Sequence, residues 1–287
     1  MRGDSVLLFI LVMVTSCNHS SGRRQTFAEE QVVTKTSITI IGQPHQEECD
    51  GKLPRLNTDS ALTLYQPAPS SHVSEQIVNK KAFIVSYNKD TKMPNWVAWH
   101  LTAEHTDGLY RRMAKFHEDE DAPPPRATNE DYKRSSWSRG HMCPAGDCKW
   151  NANAMSETFL LSNMCPQDIN LNSGLWNKIE MDCRKWARKF GLVYIICGPL
   201  LYKKEHETIG QNKVVVPEAF FKVILCLQDK PKAIGFVVKN NAGAKKKDQY
   251  VNTVDEVERI TGYDFFPALP DSVEEKVEAY SNINDWR

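Results

Sequence analysis

The sequence predicts an α+β fold, with a mainly antiparallel central sheet and flanking helices. Three observations carry this. Short segments rich in β-branched and aromatic residues are bounded by Gly, Pro or Asn-rich turns. Other segments repeat their apolar residues at helical spacing. The two kinds are interspersed, without the strict strand–helix–strand alternation that builds a parallel sheet.

Lys81–Tyr87 reads as a strand, Asn88–Asn95 as turn chemistry and Trp96–Thr102 as a second strand, so the three predict a β-hairpin. Trp96 and Trp99 are assigned to the core. Residues 103–137 read as loop, stiffened by Pro123-Pro124-Pro125. Leu192–Cys197, Ala219–Leu227 and Ala233–Val238 are the later strands. Between Ser173 and Phe190, Leu175, Trp176, Ile179, Cys183, Trp186, Ala187 and Phe190 form one apolar stripe, and Gly191 supplies a stop. A second helix starts at Thr253, with Glu256 placed for a capping box, and ends at Gly262. A third follows Asp271.

The chain has 287 residues, with 36 Lys+Arg against 36 Asp+Glu. That balance excludes a polybasic protein whose whole surface binds nucleic acid, but not a local cationic groove. No apolar run reaches the roughly 20 residues that cross a bilayer, so a multi-span membrane protein is excluded. The N-terminus reads as an address. Arg2 precedes an apolar run of nine residues, Val6 to Val14, of signal-peptide length. Val14-Thr15-Ser16-Cys17 resembles a bacterial lipobox, which makes residues 1–16 the signal peptide and Cys17 the lipidated residue. An ordinary cleaved signal with an incidental Cys predicts the same extracytoplasmic location. The lipoprotein reading adds membrane anchorage, periplasmic or at the cell surface. Residues 17–75 are polar, apart from a β-like patch at Ser37–Ile41, and read as a tether with a loosely ordered lead-in. Beyond Cys17 there are seven cysteines, an odd number, so at least one thiol is unpaired within a monomer. An oxidising compartment permits disulfides. Cys197 and Cys226, in apolar strands, are assigned as buried free thiols.

The chemistry concentrates between Arg126 and Arg184. His141 follows Arg139-Gly140 in a turn-rich stretch, which predicts an accessible imidazole able to act as a general base near neutral pH. Asn172 stands at the start of the amphipathic helix, and its amide oxygen suits a hard cation such as Mg²⁺ that keeps most of its waters. Glu180 and Arg184 are four apart, so they share a helix face beside the apolar stripe. A carboxylate there can hold a cation's waters and a guanidinium can grip a phosphate. Together these residues make a phosphodiester-hydrolysing site. Cys143 and Cys148 do not have zinc-finger spacing.

The ordered series resembles the DNA/RNA non-specific endonuclease family, the group that includes endonuclease G. Its carriers are Arg126-Ala127-Thr128, Asp131-Tyr132, Ser138-Arg139-Gly140-His141, Thr158-Phe159, Ser162-Asn163, Pro166-Gln167, Asn172, Trp176, Glu180, Arg184 and Thr261–Pro267. The resemblance covers roughly residues 77–280 and makes 76–287 a nuclease domain. It implies a ββα-metal (His-Me finger) core, in which two strands and a helix hold the His and the Asn across one cation. It further implies sugar-non-specific hydrolysis of DNA and RNA to 5′-phosphate products. His141 would be the general base and Asn172 the ligand of Mg²⁺, with Mn²⁺ able to replace it. Glu180 would order the cation's water. Arg184 and an upstream arginine would stabilise the transition state; Arg111 and Arg112 both fit, and Arg111 is preferred. Asn163 would position His141 or substrate, and Arg139 and Arg112 would bind substrate. A homodimer is compatible with the resemblance. Ser138 stands where the family has Asp, which keeps open an alternative: a catalytically weakened surface lipoprotein that binds nucleic acid without cutting it. Arg126, Lys133, Arg134, Arg139, Lys149, Arg184, Lys185, Arg188 and Lys189 would supply sequence-independent phosphate contacts that weaken with salt.

Overall fold

A computed structural model describes residues 65–70, 73–113, 115–228, 230–241 and 246–287. The signal segment, Cys17, the Ser37–Ile41 patch and Cys49 lie outside the described residues. The main sheet is built from β1 (Gln76–Asn79), β2 (Ile84–Asn88), β3 (Met93–Thr102), β6 (Leu192–Leu200), β9 (Ala219–Cys226), β10 (Lys232–Lys239) and β11 (Val251–Asn252), side by side in that order. Every neighbouring pair is antiparallel. Two small hairpins stand apart from it: β4 (Ser138–His141) with β5 (Met164–Gln167), and β7 (Thr208–Ile209) with β8 (Val214–Val215). The α+β prediction and all five predicted strands hold, with ends displaced by a few residues.

The sheet is buried on both faces, and alternation along the strands sorts the side chains between them. On one face Val97, Trp99, Leu101, Phe220, Ile224 and Phe236 join one core. On the other, Trp96, Ala98, Phe221, Val223 and Leu225 join a second. This is why the strands read as near-continuous apolar runs. The long helix α2 (Asn177–Phe190) covers the first face, inserting Ile179, Cys183, Trp186 and Ala187; a shorter helix, α1 (Ala152–Glu157), precedes it in the chain. Gly191, at φ 87°, ends α2 in a conformation that a Cβ disfavours. The second face is covered by α3 (Val254–Thr261) and α4 (Asp271–Glu278), through Val254, Val257 and Val277. Thr253 accepts the Glu256 N–H at 3.2 Å, and Gly262 closes α3 at φ 73°.

Four departures from the sequence reading matter. Residues 103–137 contain short helical turns at Ala103–Thr106 and Asn129–Tyr132, the latter held by a Thr128–Asp131 capping box. Tyr65, in the stretch assigned to the tether, is buried against Tyr194, and the Ala68 N–H donates to Asp264 O at 2.9 Å. Among the described residues Cys143, Cys148, Cys165, Cys183 and Cys197 are buried free thiols and Cys226 is buried, so no two described cysteines form one of the permitted disulfides. Finally, Ser138–His141 is a strand and not a turn. Its four residues carry no β signal of their own; pairing with Met164–Gln167 makes them a strand.

Candidate active site

The β4–β5 hairpin and the start of the long helix build the site. Gly140 is the point of closest approach: a Cβ there would lie 2.4 Å from Gln167 Oε1. Past β5, Asp168 caps a short helical turn with hydrogen bonds from the Asn170 and Leu171 N–H groups. The chain then makes a π turn over Asn172–Trp176 before entering α2. Two hydrogen bonds tie this turn to the hairpin, and a third, within the hairpin, fixes the serine that receives one of them. Asn172 Nδ2 donates to Ser138 Oγ (3.1 Å), Ser138 Oγ donates to Gln167 O (2.7 Å), and Trp176 Nε1 donates to His141 O (3.3 Å). His141 and Asn172, 31 positions apart, thereby line one open cleft of about 500 Å³, with Arg112, Lys149, Asn177, Glu180 and Arg184.

His141 is 6% exposed, not accessible as its polar neighbours suggested. Phe159 meets its ring edge-on at 5.1 Å and Phe116 lies at 5.7 Å. Burial, and after it the charge of Arg112, push the imidazole down to about 3. The ring is therefore neutral at physiological pH, and Nε2 has no hydrogen-bond partner among the described residues.

Glu180, on the first turn of α2, is lifted to about 7 by burial, against the opposing charges of Lys222 and Arg184. Arg184, one turn on, donates through Nη1 to Asp147 Oδ1 at 2.9 Å. Asp147 is buried and also accepts from Trp99 Nε1 at 3.1 Å, so the sheet aims the guanidinium through this carboxylate. Burial raises the Asp147 carboxyl despite Arg184, and Asp147 holds Arg184 above its ordinary value against burial. Gly146 makes the approach possible, since a Cβ there would sit 2.9 Å from Arg184 Nη1.

Other predicted residues are placed differently. Of the two upstream arginines, Arg112 lines the cleft, its guanidinium 5.3 Å from the Phe159 ring; the preferred Arg111 is exposed and outside the lining. Asn163 is fully buried. Its Oδ1 accepts from Cys143 N–H (2.9 Å), and its Nδ2 donates to Cys143 O and Thr158 O (both 2.9 Å). With both amide atoms bonded to backbone, it braces the chain just after His141. Arg139 is also spent elsewhere: its guanidinium lies 5.1 Å from the Phe116 ring and 4.9 Å from the Tyr132 ring, and donates to Asn129 O at 3.0 Å. Much of the basic cluster is engaged by acids: Lys133 with Glu130, Lys185 with Asp182, and Arg188 with Asp107. Lys149, Arg112 and Arg184 carry the positive charge of the cleft itself.

Sequence reasoning missed Asp147, Asn177 and Lys222. Asp147 lies six positions beyond His141, within the stretch where the chemistry concentrates, but its own neighbours give it no role. Lys222 left a signal: it is a lone cation within the apolar strand β9, fully buried, with Nζ 4.5 Å from the Trp176 ring and 5.0 Å from the Trp99 ring.

The cleft suits a small hard cation. Because Ser138 engages the Asn172 amide nitrogen, the amide oxygen is left to coordinate, and Glu180 adds one carboxylate to the same wall. One neutral oxygen and one carboxylate fit an ion that retains several waters better than a closed protein cage.

Comparison with known proteins agrees with this geometry. The sequence pattern of the DNA/RNA non-specific endonuclease family matches residues 60–272. The mitochondrial nuclease EXOG of Danio rerio is 39% identical over 203 residues, covering 65% of this chain and 59% of that protein. Nuclease C1 of Cunninghamella echinulata var. echinulata is 34% identical over 230 residues, covering 74% of this chain and 90% of that protein. The crystal structure of an EndoG/EndoGI complex superposes with TM-score 0.64 at 31% identity, covering 69% of this chain and 88% of that one. The chain belongs to the DNA/RNA non-specific endonuclease family. The hairpin β4–β5 and the helix behind Asn172 form its ββα core. The chain spans less than two thirds of the EXOG sequence that it matches.

Proposed function

We propose that this protein is a metal-dependent, sugar-non-specific endonuclease that hydrolyses phosphodiester bonds of DNA and RNA and leaves 5′-phosphates. The observation that carries the reading is the convergence of His141, Asn172, Glu180, Arg112 and Arg184 on one open cleft. His141, neutral and unpartnered at Nε2, takes the proton of an attacking water. A bound phosphate's negative charge offsets that of Arg112 and raises the basicity of the ring in the complex. Arg112 and Arg184 grip the non-bridging oxygens and stabilise charge gathering on phosphorus. A divalent cation, Mg²⁺ or in its place Mn²⁺, held by Asn172 with Glu180 beside it, supplies further neutralisation of that charge. Ser138 takes over part of the work of the family's Asp by fixing the Asn172 amide through its hydroxyl. The open cleft reaches backbone phosphates without reading base edges, which suits a sequence-tolerant enzyme.

Plasmid nicking and RNA digestion test this with Mg²⁺, with EDTA and with His141→Ala. We expect cleavage only in the first condition, with ends that ligate without prior phosphorylation. Equal cleavage in all three overturns the assignment. Retention of nucleic acid in a gel shift with no cleavage in Mg²⁺ favours a binding-only protein. The same reading places the chain outside the cytoplasm, anchored through Cys17; Cys17→Ser then releases it from the membrane fraction. A dimer is part of the proposal and is read by sedimentation.

A further inference from the structure

Across the sheet from the cleft, α3 and α4 bring acidic side chains together. Asp255 and Glu258 are three apart and share a face of α3, and Glu278 comes from the last turn of α4. One ligand atom from each lies within 4.8 Å of the others. Asp264 and Glu274 add their negative charge to the same neighbourhood. Among the described residues none of the three has a salt-bridge partner. The one hydrogen bond to their carboxylates among the described residues is from the Phe265 N–H to Glu258 Oε1, at 2.7 Å. Glu278 is the telling member. It is 7% exposed, belongs to the cluster, and its Oε1 is buried with no hydrogen-bond partner among the described residues. A buried carboxylate oxygen without a donor costs folding free energy, and like charges beside it add to that cost. A cation seated among these oxygens would relieve both costs.

We propose that Asp255, Glu258 and Glu278 form a Ca²⁺ site that fastens α3 to α4 and is separate from the catalytic cleft. The donor set decides the ion: Ca²⁺ takes several carboxylate and water oxygens in flexible geometry, whereas Mg²⁺ demands a near-ideal octahedron and usually takes only one or two carboxylates. The donors are all carboxylates, the hard oxygen ligands that Ca²⁺ takes, and Asp255 is exposed, so water can fill the remaining positions. Each helix is eight residues long, too short to persist without packing, so a cation bridging them stabilises the C-terminal layer over the second face of the sheet. The inference does not rest on nuclease activity, because its donors lie outside the cleft.

The test is thermal unfolding and calorimetric titration of the full chain, stripped with chelator and then given CaCl₂. Asn172→Ala protein is used so that the cleft contributes no ion. The expected result is a saturable rise in Tm and a single binding event. Asp255→Asn, at an exposed position that leaves the core untouched, should weaken that event about tenfold or more. Glu278→Gln should also abolish the rise, while melting in chelator no lower than its parent because the repulsion is relieved. No rise with Ca²⁺ overturns the proposal. So does a rise undiminished in both variants, or one reproduced by NaCl at equal ionic strength.

Discussion

Asp147→Asn tests how the cleft is held in shape. The carboxylate is buried and receives two donors, Arg184 Nη1 on Oδ1 at 2.9 Å and Trp99 Nε1 on Oδ2 at 3.1 Å. An asparagine has the same outline but only one accepting oxygen. If that oxygen faces Arg184, the new amide nitrogen faces the indole N–H, and a buried donor loses its acceptor at a cost of about 1–3 kcal/mol. The bond to Arg184 also changes from charge-assisted to neutral, a loss of about 1 kcal/mol, reduced because the arginine side chain is 17% exposed. Against this, burial raises the Asp147 carboxyl, so removing the charge relieves part of a desolvation cost. The balance is a net destabilisation of about 1–3 kcal/mol, read from urea unfolding. The functional effect should be larger. Arg184 loses the anchor that aims it, and misplacing one phosphate-gripping group costs roughly a hundredfold in kcat/KM on plasmid DNA. Unfolding stability within about 0.5 kcal/mol of the parent, together with unchanged kcat/KM, would refute the bracing role.

Three other outcomes follow from the same geometry. Arg112→Ala should raise the His141 pKa from about 3 but leave it below its ordinary value, because burial is the larger cause; histidine titration by NMR reads this, and an unmoved value contradicts it. Glu180 at about 7 is protonated as pH falls through neutrality, so kcat/KM should fall on that side. Lys222 opposes the rise in Glu180, so Lys222→Met should shift the acid limb to higher pH, and a static limb would exclude the coupling. Ser138→Ala removes the acceptor that orients the Asn172 amide. The Mg²⁺ concentration for half-maximal activity should rise about tenfold or more, and no change would mean that the hydroxyl is idle.

The helix stripe from Leu175 to Phe190 was legible because a period of 3.6 residues is written locally, and that period alone sets Glu180 and Arg184 at the edge of the buried face. The strands β3, β6, β9 and β10 were legible because both sheet faces are buried and their residues form long apolar runs. The hairpin that carries His141 was not legible. Ser-Arg-Gly-His has no β propensity, and only pairing with residues more than twenty positions on makes it a strand. Polar neighbours in sequence likewise suggested an open imidazole, whereas Phe116 and Phe159 arrive from distant segments to enclose it.

By itself the sequence determined the fold class, the order of the chemical groups and the family they spell out, because periodicity and motif spacing are properties of the chain. It did not determine how each polar group is employed. The choice of Arg112 over Arg111 at the cleft, the engagement of Asn163 with backbone, the sandwiching of Arg139 between two rings and the anchoring of Arg184 by Asp147 were decided by tertiary structure. Whether a side chain is free to meet a ligand depends on which partners reach it first, and those partners come from elements that are remote in the chain and adjacent only once the sheet and its covering helices have packed.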